Sequence, residues 1–223
     1  MRDNYLKPPM IQLLKISEET SLEGLEKDFL LQRTDDMAFF LEWQQDLPNL
    51  TSGDLDDLKR ITEFYENISR RLVVSENMIK MAVLSPLLDL AGYYSSQFTI
   101  ADEESISISA IDGETIYRGR IDILVIQKSF WILVIESKSS SFSLHKALPQ
   151  SLAYMLASPN PNQTTFGLIT NGSEYRFLKL INHNSPSNPP LYATSSLFSI
   201  SPPDRDLPTV LQILRRLAQI IAP

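Results

Sequence analysis

One hydrophobic stretch near the middle of the chain, residues 120–138, constrains the fold more than any other. It reads RIDILVIQKSFWILVIESK, two apolar runs joined by a short polar turn. Short runs rich in Ile, Val and Leu on either side of such a turn predict a β-hairpin in the core of a sheet. Asp122, Glu136 and Lys138 interrupt these runs, and an ionised side chain in such a strand is costly unless it is paired.

Strand alternation predicts that these charges lie close together. Alternate side chains of a strand share a face, so Glu136 and Lys138 lie on the same side of the second strand. Asp122 lies opposite Glu136 in a register that leaves a turn of about three residues around 128–130. The Cβ atoms of the two acids are then about 5 Å apart.

Two ionised carboxylates at that distance repel each other and lose hydration, so one of them takes up a proton unless a cation is present. A divalent cation removes the conflict, because Mg²⁺ and Mn²⁺ prefer oxygen ligands. Asp122, Glu136 and Lys138 therefore suit a Mg²⁺ or Mn²⁺ site that polarises a phosphoryl oxygen and activates water. The alternative is a solvated strand end where Glu136 and Lys138 form a weak ion pair. The position of Asp122 between two isoleucines argues against that alternative.

The same residues resemble a known family motif. Asp122, followed by Glu136-x-Lys138 on the next strand, resembles the signature of the PD-(D/E)XK nuclease superfamily. Ile121 stands at the position that the signature gives to proline, which is a departure from the pattern.

Flanking segments extend the resemblance over roughly residues 75–180. Gln150 and Tyr154 are spaced as in the Gln-x-x-x-Tyr element that follows the core in RecB-like members. The turn at residues 169–172 resembles the N-terminal nuclease domains of type I restriction subunits. Glu76, at the head of the helix before the sheet, stands where such families place a further acid.

The resemblance implies an α/β fold, a restriction-endonuclease-like mixed β-sheet flanked by helices. It implies a metal-dependent endonuclease or exonuclease that hydrolyses DNA phosphodiester bonds. Asp122 and Glu136 would hold the metal together with the carbonyl of Ser137, and Glu76 would add a further ligand. Lys138 would orient or activate the attacking water and stabilise the charged transition state.

The resemblance also implies a cleft beside the acids. Gln150 and Tyr154 are four residues apart on one helical face, where they would line the cleft and contact nucleic acid or water. The net charge of the chain is −7, so DNA binding requires a local basic patch, to which Arg120 can contribute. Other interpretations stay open: Glu76 can complement a helix N terminus, and Gln150 and Tyr154 can be a surface residue and a core aromatic.

Periodicity divides the remaining chain into two parts. Residues 1–72 are predicted to form an N-terminal helical extension, with an irregular start, a helix from Thr34 and a longer helix. The apolar stripe at 55–72 is a packing face or a homodimer contact. Residues 73–223 are predicted to form the nuclease-like α/β core, which opens with a helix that Pro86 disturbs.

Composition sets the cellular context. The chain has no cysteine, which excludes disulfides and thiolate metal sites and fits a reducing compartment. We see no signal-peptide core, and no apolar run reaches the roughly 18 residues that span a bilayer. We therefore expect a soluble cytoplasmic protein that binds DNA, not membranes, within a restriction or repair complex. The second function left open is a catalytically silent binding or structural subunit with the nuclease fold.

Overall fold

The computed structural model describes residues 12–17, 19–128, 130–160, 162–183, 185, 187–202 and 205–221. Its strands are β1 (Gln12–Lys15), β2 (Gln32–Arg33), β3 (Thr99–Ser109), β4 (Thr115–Gln127), β5 (Phe130–Ser137), β6 (Thr164–Thr170), β7 (Glu174–Ile181), β8 (Leu191–Thr194) and β9 (Phe198–Ser199). Its helices are α1 (Leu22–Phe29), α2 (Ser52–Ser69), α3 (Glu76–Ile79), α4 (Ser85–Leu90), α5 (Leu144–Leu156) and α6 (Leu207–Ile221), with a π-helical turn at Lys80–Leu84 between α3 and α4.

The described strands form one mixed sheet with helices on both faces. The strand order is β1-β4-β5-β6-β7-β8-β2, with β3 also paired to β4 and β9 to β7. Three pairs are parallel, β1 with β4, β5 with β6 and β2 with β8. One hydrophobic cluster joins one face to α2, α3, α4 and α6, and a second joins the other face to α1 and α5. The predicted α/β class, a mixed sheet flanked by helices, is confirmed.

The central hairpin has the predicted register. β4 and β5 are antiparallel, with Ile123 opposite Ile135, where the main-chain pairing of the two strands ends. One residue further, the same register sets Asp122 opposite Glu136. Ile123 and Ile135 both pack in the cluster on the α2 side.

The hairpin turn is one residue shorter than the predicted three. A register shift after Val125 makes Ile126 pair with Trp131, and the ladder closes between Gln127 and Phe130. The shift is a β-bulge, which adds one residue to β5 and increases the local twist. Lys128, at the start of the turn, has φ +48°.

The edge of β4 that faces β5 is divided between two partners. β3 pairs with β4 from residue 116 to residue 126 and therefore takes the other edge. β1 pairs with residues 115–118, and β5 with residues 123–127. No described strand pairs with residues 119–122 on this edge, so an opening lies between the ends of β1 and β5.

The N-terminal part contributes strands that the sequence analysis did not predict. β1 lies within the stretch expected to be irregular, and β2 pairs with β8 at the far end of the sheet. α1 packs on the same face as α5. The division into an extension over 1–72 and a core over 73–223 stays a prediction. No helix in the described part of the chain is long and apolar enough to cross a membrane.

The predicted helix from Thr34 is wrong, because side chains there bind the main chain in place of helical carbonyls. Thr34 Oγ1 accepts a hydrogen bond from the Asp36 amide, and Asp36 Oδ1 accepts one from the Ala38 amide. The Phe39 amide donates to the Asp36 carbonyl, three residues back. Such local bonds compete with helix formation, and the segment forms successive turns.

The disturbance expected at Pro86 takes the form of the π-helical turn. Proline lacks an amide hydrogen, and its ring would clash with the carbonyl of Ala82 in a regular helix. The turn at Lys80–Leu84 is wider, and it closes with a hydrogen bond from the Ser85 amide to the Lys80 carbonyl. An extra residue in one turn is a known way for a helix to accommodate a proline.

Asp54 ties three helices together. In the capping box of α2 its carboxylate accepts hydrogen bonds from the Thr51 amide at 2.7 Å and from the Thr51 hydroxyl at 2.8 Å. Arg215 of α6 donates two more, at 2.8 and 2.5 Å, and its Nε donates to the Leu90 carbonyl at the end of α4. The Arg215 guanidinium holds the pKa of Asp54 well below its usual range.

We predict that Arg215→Ala lowers the free energy of unfolding by roughly 2–4 kcal/mol, between the values typical of exposed and buried pairs. Because the folded-state pKa of Asp54 is depressed, the pair stabilises the fold above about pH 4 and loses its effect as the pH falls further. Urea unfolding at pH 7 and pH 3 measures both effects. Lys59→Ala, which removes an exposed pair with Glu63, is the control. Equal losses in the two variants would contradict the prediction.

Candidate active site

The site lies where β4 and β5 separate. The Ser137 amide donates a hydrogen bond of 2.8 Å to Asp122 Oδ2. An amide of β5 thus bonds to a side chain of β4, beyond the residues where the main chains of the two strands pair. On its other side β5 stays paired with β6, with Glu136 beside Ile169, and the Lys138 amide donates to the Thr170 carbonyl at 2.9 Å. The parallel neighbour therefore holds β5 in place where β4 leaves it.

Glu136 is a carboxylate buried to 2% exposure. Its Oε1 lies 2.7 Å from Lys138 Nζ, whereas no described residue donates a hydrogen bond to its buried Oε2. Burial, reinforced by the nearby Asp122 carboxylate, raises the pKa of Glu136 to about 8. The structure thus brings together the two acids that the sequence analysis paired.

Lys138 is the amine of the pair. Its side chain is 11% exposed, and its Nζ lies 5.5 Å from the centre of the Phe142 ring. Burial opposes a charge on Lys138, but the Glu136 and Asp122 carboxylates outweigh it and raise the pKa of the amine. Lys138 therefore remains an ammonium group that can donate hydrogen bonds at the site.

Gln150 and Tyr154 lie on α5, the helix that follows the hairpin. Gln150 Nε2 donates to the Tyr154 hydroxyl at 2.9 Å, and no described residue donates to the buried Gln150 Oε1. Burial, with the Glu136 charge, raises the pKa of Tyr154 to about 12. Both side chains line the same cleft as Lys138, although Tyr154 as a residue is only 2% exposed.

Gly119, which was not predicted as a site residue, lets this helix approach the sheet. A Cβ atom added at Gly119 would lie 2.7 Å from Tyr154 Cε1 and 2.8 Å from Ile16 Cβ. Residue 119 stands in the unpaired part of the β4 edge, where only a glycine leaves room for the tyrosine ring. The clue in the sequence was a glycine inside a predicted strand, between Arg118 and Arg120.

Glu76 does not contact the other acids directly. It lies at the start of α3, and its Oε1 is 3.0 Å from Lys80 Nζ, which is 2.9 Å from Asp122 Oδ1. Burial opposes a charge on Lys80, but Asp122 and Glu76 outweigh it and raise the pKa of the amine. Lys80 was not predicted from the sequence, although its position four residues after Glu76 on a helix was a signal for an ion pair.

A cleft of about 870 Å³ opens beside Lys138, Gln150 and Tyr154, whereas Asp122 lines a separate pocket with Lys80. The described lining of the cleft contains four basic side chains and one acidic one, Lys15, Arg118, Arg120, Lys138 and Glu19. Lys15 and Arg118 are neighbours in the register of β1 and β4. Arg120 pairs with Glu103 at 2.9 Å, but both side chains are more than 60% exposed, so the pair can open. The rim of the cleft is therefore positive although the chain as a whole is negative.

The oxygen atoms of the site fit a hard divalent cation. Asp122, Glu136 and the Ser137 carbonyl would supply ligands of the type that Mg²⁺ and Mn²⁺ prefer. Among the described residues, no donor reaches Glu136 Oε2 or Gln150 Oε1, and buried acceptors without donors are rare unless something else completes them. No three His, Cys, Asp or Glu side chains of the described residues form a ready-made cluster, so main-chain or amide oxygens are needed.

Comparison with known proteins connects the chain to restriction enzymes. The family model described as the N terminus of the type I restriction enzyme R protein matches residues 19–185, more than half of the chain. A solved fragment described as an HsdR subunit of a type I restriction enzyme from Vibrio vulnificus YJ016 is similar, with 20% identity and a TM-score of 0.38. The match covers 66% of this chain and 26% of that one, so this chain spans about a quarter of its length. No curated protein matches the sequence.

We predict that Glu136→Gln becomes more stable relative to the wild type as the pH rises. The folded-state pKa of about 8 lies above the ordinary value, so the wild type loses stability between about pH 5 and pH 8, because Glu136 ionises in the unfolded chain while the buried acid keeps its proton. The change is at most about 1.4 kcal/mol per pH unit. Urea unfolding in EDTA across this range measures it, with the exposed Asp56→Asn as control. A difference that does not change with pH would refute the prediction.

Proposed function

The chain belongs to the family of type I restriction enzyme R protein N termini, and on this premise we propose that it is a metal-dependent nuclease that hydrolyses DNA phosphodiester bonds. Family membership confirms the predicted resemblance to type I restriction subunits and agrees with the restriction-endonuclease-like sheet. One observation supports the nuclease proposal above all: Asp122, Glu136 and Lys138 converge where two strands separate, beside a cleft with a basic rim. We further propose that the chain works within a type I restriction complex on DNA.

Asp122, Glu136 and the Ser137 carbonyl would hold Mg²⁺ or Mn²⁺. Such an ion polarises a phosphoryl oxygen and lowers the pKa of bound water. Asp122 is oriented for this by the Ser137 amide, and Glu136 by its 2.7 Å contact with Lys138. The buried Glu136 Oε2, to which no described residue donates, would be the oxygen that gains most from a cation.

Lys138 and Gln150 would act on the water and on the phosphate. The Lys138 ammonium keeps its protons because two carboxylates surround it, so it can stabilise the negative charge that develops on the phosphate. Gln150 donates through Nε2 to Tyr154, which leaves its Oε1 to accept a hydrogen bond from the attacking water. Tyr154 would fix the amide of Gln150 in that orientation.

The basic rim would guide the DNA backbone to the acids. Lys15, Arg118 and Arg120 line the cleft that contains Lys138. Phosphate contacts supply most of the affinity of proteins for DNA, and they act locally even on an acidic protein. Arg120 would exchange its exposed partner Glu103 for a phosphate.

A specific observation favours the second candidate, a catalytically silent subunit. Both acids already have an amine partner, Asp122 with Lys80 at 2.9 Å and Glu136 with Lys138 at 2.7 Å. Such a self-neutralised cluster can persist without metal and stabilise the fold alone. Metal binding and cleavage by the wild type distinguish the two candidates.

We predict that Asp122→Ala and Lys138→Ala separate metal binding from chemistry. Asp122→Ala removes an oxygen ligand and should lower the Mg²⁺ affinity. Lys138→Ala removes a nearby positive charge, so Mg²⁺ should bind at least as well, whereas cleavage should fall by roughly 10²–10³-fold. Calorimetry with Mg²⁺ and Mn²⁺, beside cleavage assays on single-stranded and double-stranded DNA, measures both.

The exposed Lys146→Ala on α5 is the matched control and should change neither quantity. If the wild type binds no divalent cation and cuts neither form of DNA, the silent-subunit alternative replaces the nuclease. If Lys138→Ala cuts as fast as the wild type, Lys138 has no catalytic role.

We predict that the double substitution Lys15→Ala and Arg118→Ala weakens DNA binding and makes it less sensitive to salt. Each lost phosphate contact should reduce the slope of log K against log salt concentration by about 0.7–0.9. Fluorescence anisotropy in EDTA, at several salt concentrations, measures the slope. Lys59→Ala with Arg60→Ala on α2 removes the same charge away from the cleft. An unchanged slope, or an equal loss of DNA affinity in both double variants, would show that the basic rim does not bind DNA.

A further inference from the structure

Lys80 holds a position among the acids that the proposed mechanism does not use. Its Nζ lies 2.9 Å from Asp122 Oδ1 and 3.0 Å from Glu76 Oε1, and its side chain is only 20% exposed. Asp122 Oδ2 already accepts the Ser137 amide. Both oxygens of this carboxylate therefore have donors, in contrast to Glu136.

The local fold aims Lys80 at the opening between β4 and β5. Lys80 is the first residue of the π-helical turn, and Glu76 lies one helical turn before it. The turn is held by the hydrogen bond from the Ser85 amide to the Lys80 carbonyl and is followed by Pro86. From this wide turn the Lys80 amine donates a hydrogen bond to Asp122 of β4, 42 residues later in the chain.

We propose that Lys80 is the built-in counter-cation of the acid cluster and competes with the divalent cation for Asp122 and Glu76. This inference rests on the proposed metal site. Without metal, the ammonium group balances two carboxylates that would otherwise repel each other at a partly buried position. A divalent cation beside Asp122 meets that ammonium at close range, so it has to displace Lys80 or share the carboxylate with it at an electrostatic cost.

The two lysines of the site therefore have different roles. Lys138 contacts Glu136 through one oxygen and leaves the other without a described donor, so a cation can bind there beside it. The Ser137 amide donates to Asp122 Oδ2, and Lys80 donates to the remaining oxygen, Oδ1. Lys80 is a positioning residue that holds Asp122 and sets how tightly the site binds metal.

Lys80→Met tests the inference through metal binding and stability, with no need for cleavage. In calorimetry, Lys80→Met should bind Mn²⁺ roughly tenfold or more tightly than the wild type, because a unit charge near the ligands is gone. In EDTA its melting temperature should fall, and Mn²⁺ should raise it by more than in the wild type. Lys80→Arg keeps the charge and should bind Mn²⁺ about as weakly as the wild type.

Two further variants keep the test decisive. Lys59→Met removes an exposed lysine that also pairs four residues away on a helix, so an unchanged Mn²⁺ affinity there excludes an effect of net charge. Lys80→Gln keeps a hydrogen-bond donor and replaces Lys80→Met if that variant does not fold. If the wild type binds Mn²⁺ and neither variant of Lys80 binds it more tightly, the competition is wrong and the nuclease proposal stands. If neither wild type nor variants bind metal, both fail.

Discussion

A carboxylate buried inside an apolar sheet is the constraint on which this structure depends. Glu136 lies on the most hydrophobic hairpin of the chain at 2% exposure, where an ionised group is costly without partners. Lys138 supplies a charge at 2.7 Å, and burial together with Asp122 raises the pKa of the acid to about 8. No described residue donates a hydrogen bond to the other oxygen of Glu136. A buried acid with an incomplete set of partners lowers the free energy of unfolding, so stability alone does not explain it.

The sheet is built so that this acid can be reached from outside. β1 and β5 share one edge of β4 and leave residues 119–122 between them without a described strand partner on that edge. Gly119 leaves room for the ring of Tyr154 at this gap, and Gln150 lies four residues earlier on the same helical face. Two hydrophobic clusters, one on each face of the sheet, keep the separated strands in place. The opening is thus a consequence of strand pairing.

Charge balance at the site is local and nearly complete. Glu76 and Asp122 pair with Lys80, and Glu136 pairs with Lys138, so each of these acids has an amine partner. Because burial raises the pKa of Glu136 to about 8, a divalent cation that binds this acid would displace its proton. The cleft that contains Lys138 also contains Lys15, Arg118 and Arg120, so the basic rim adjoins the amine that pairs with Glu136.

The sequence by itself determined the hairpin, its register and the close placement of Asp122, Glu136 and Lys138, because alternation along two strands joined by a short turn is local information. It also placed Gln150 and Tyr154 on one face of the following helix. The shorter turn, made by the bulge after Val125, depended on packing across the sheet that no local pattern records.

Only the tertiary structure decided which distant segments complete the site. β1 joins β4 across about a hundred residues, and Lys80 reaches Asp122 across 42. Such contacts depend on the pairing of whole strands and helices, and residue spacing does not encode them. The helix predicted from Thr34 also failed because of contacts that residue spacing does not encode. Its side chains bind the local main chain, and the aromatic residues that follow pack into a hydrophobic cluster with distant parts of the chain. The local sequence pattern determined which charged residues the hairpin contains, whereas long-range packing brought Lys80 to Asp122.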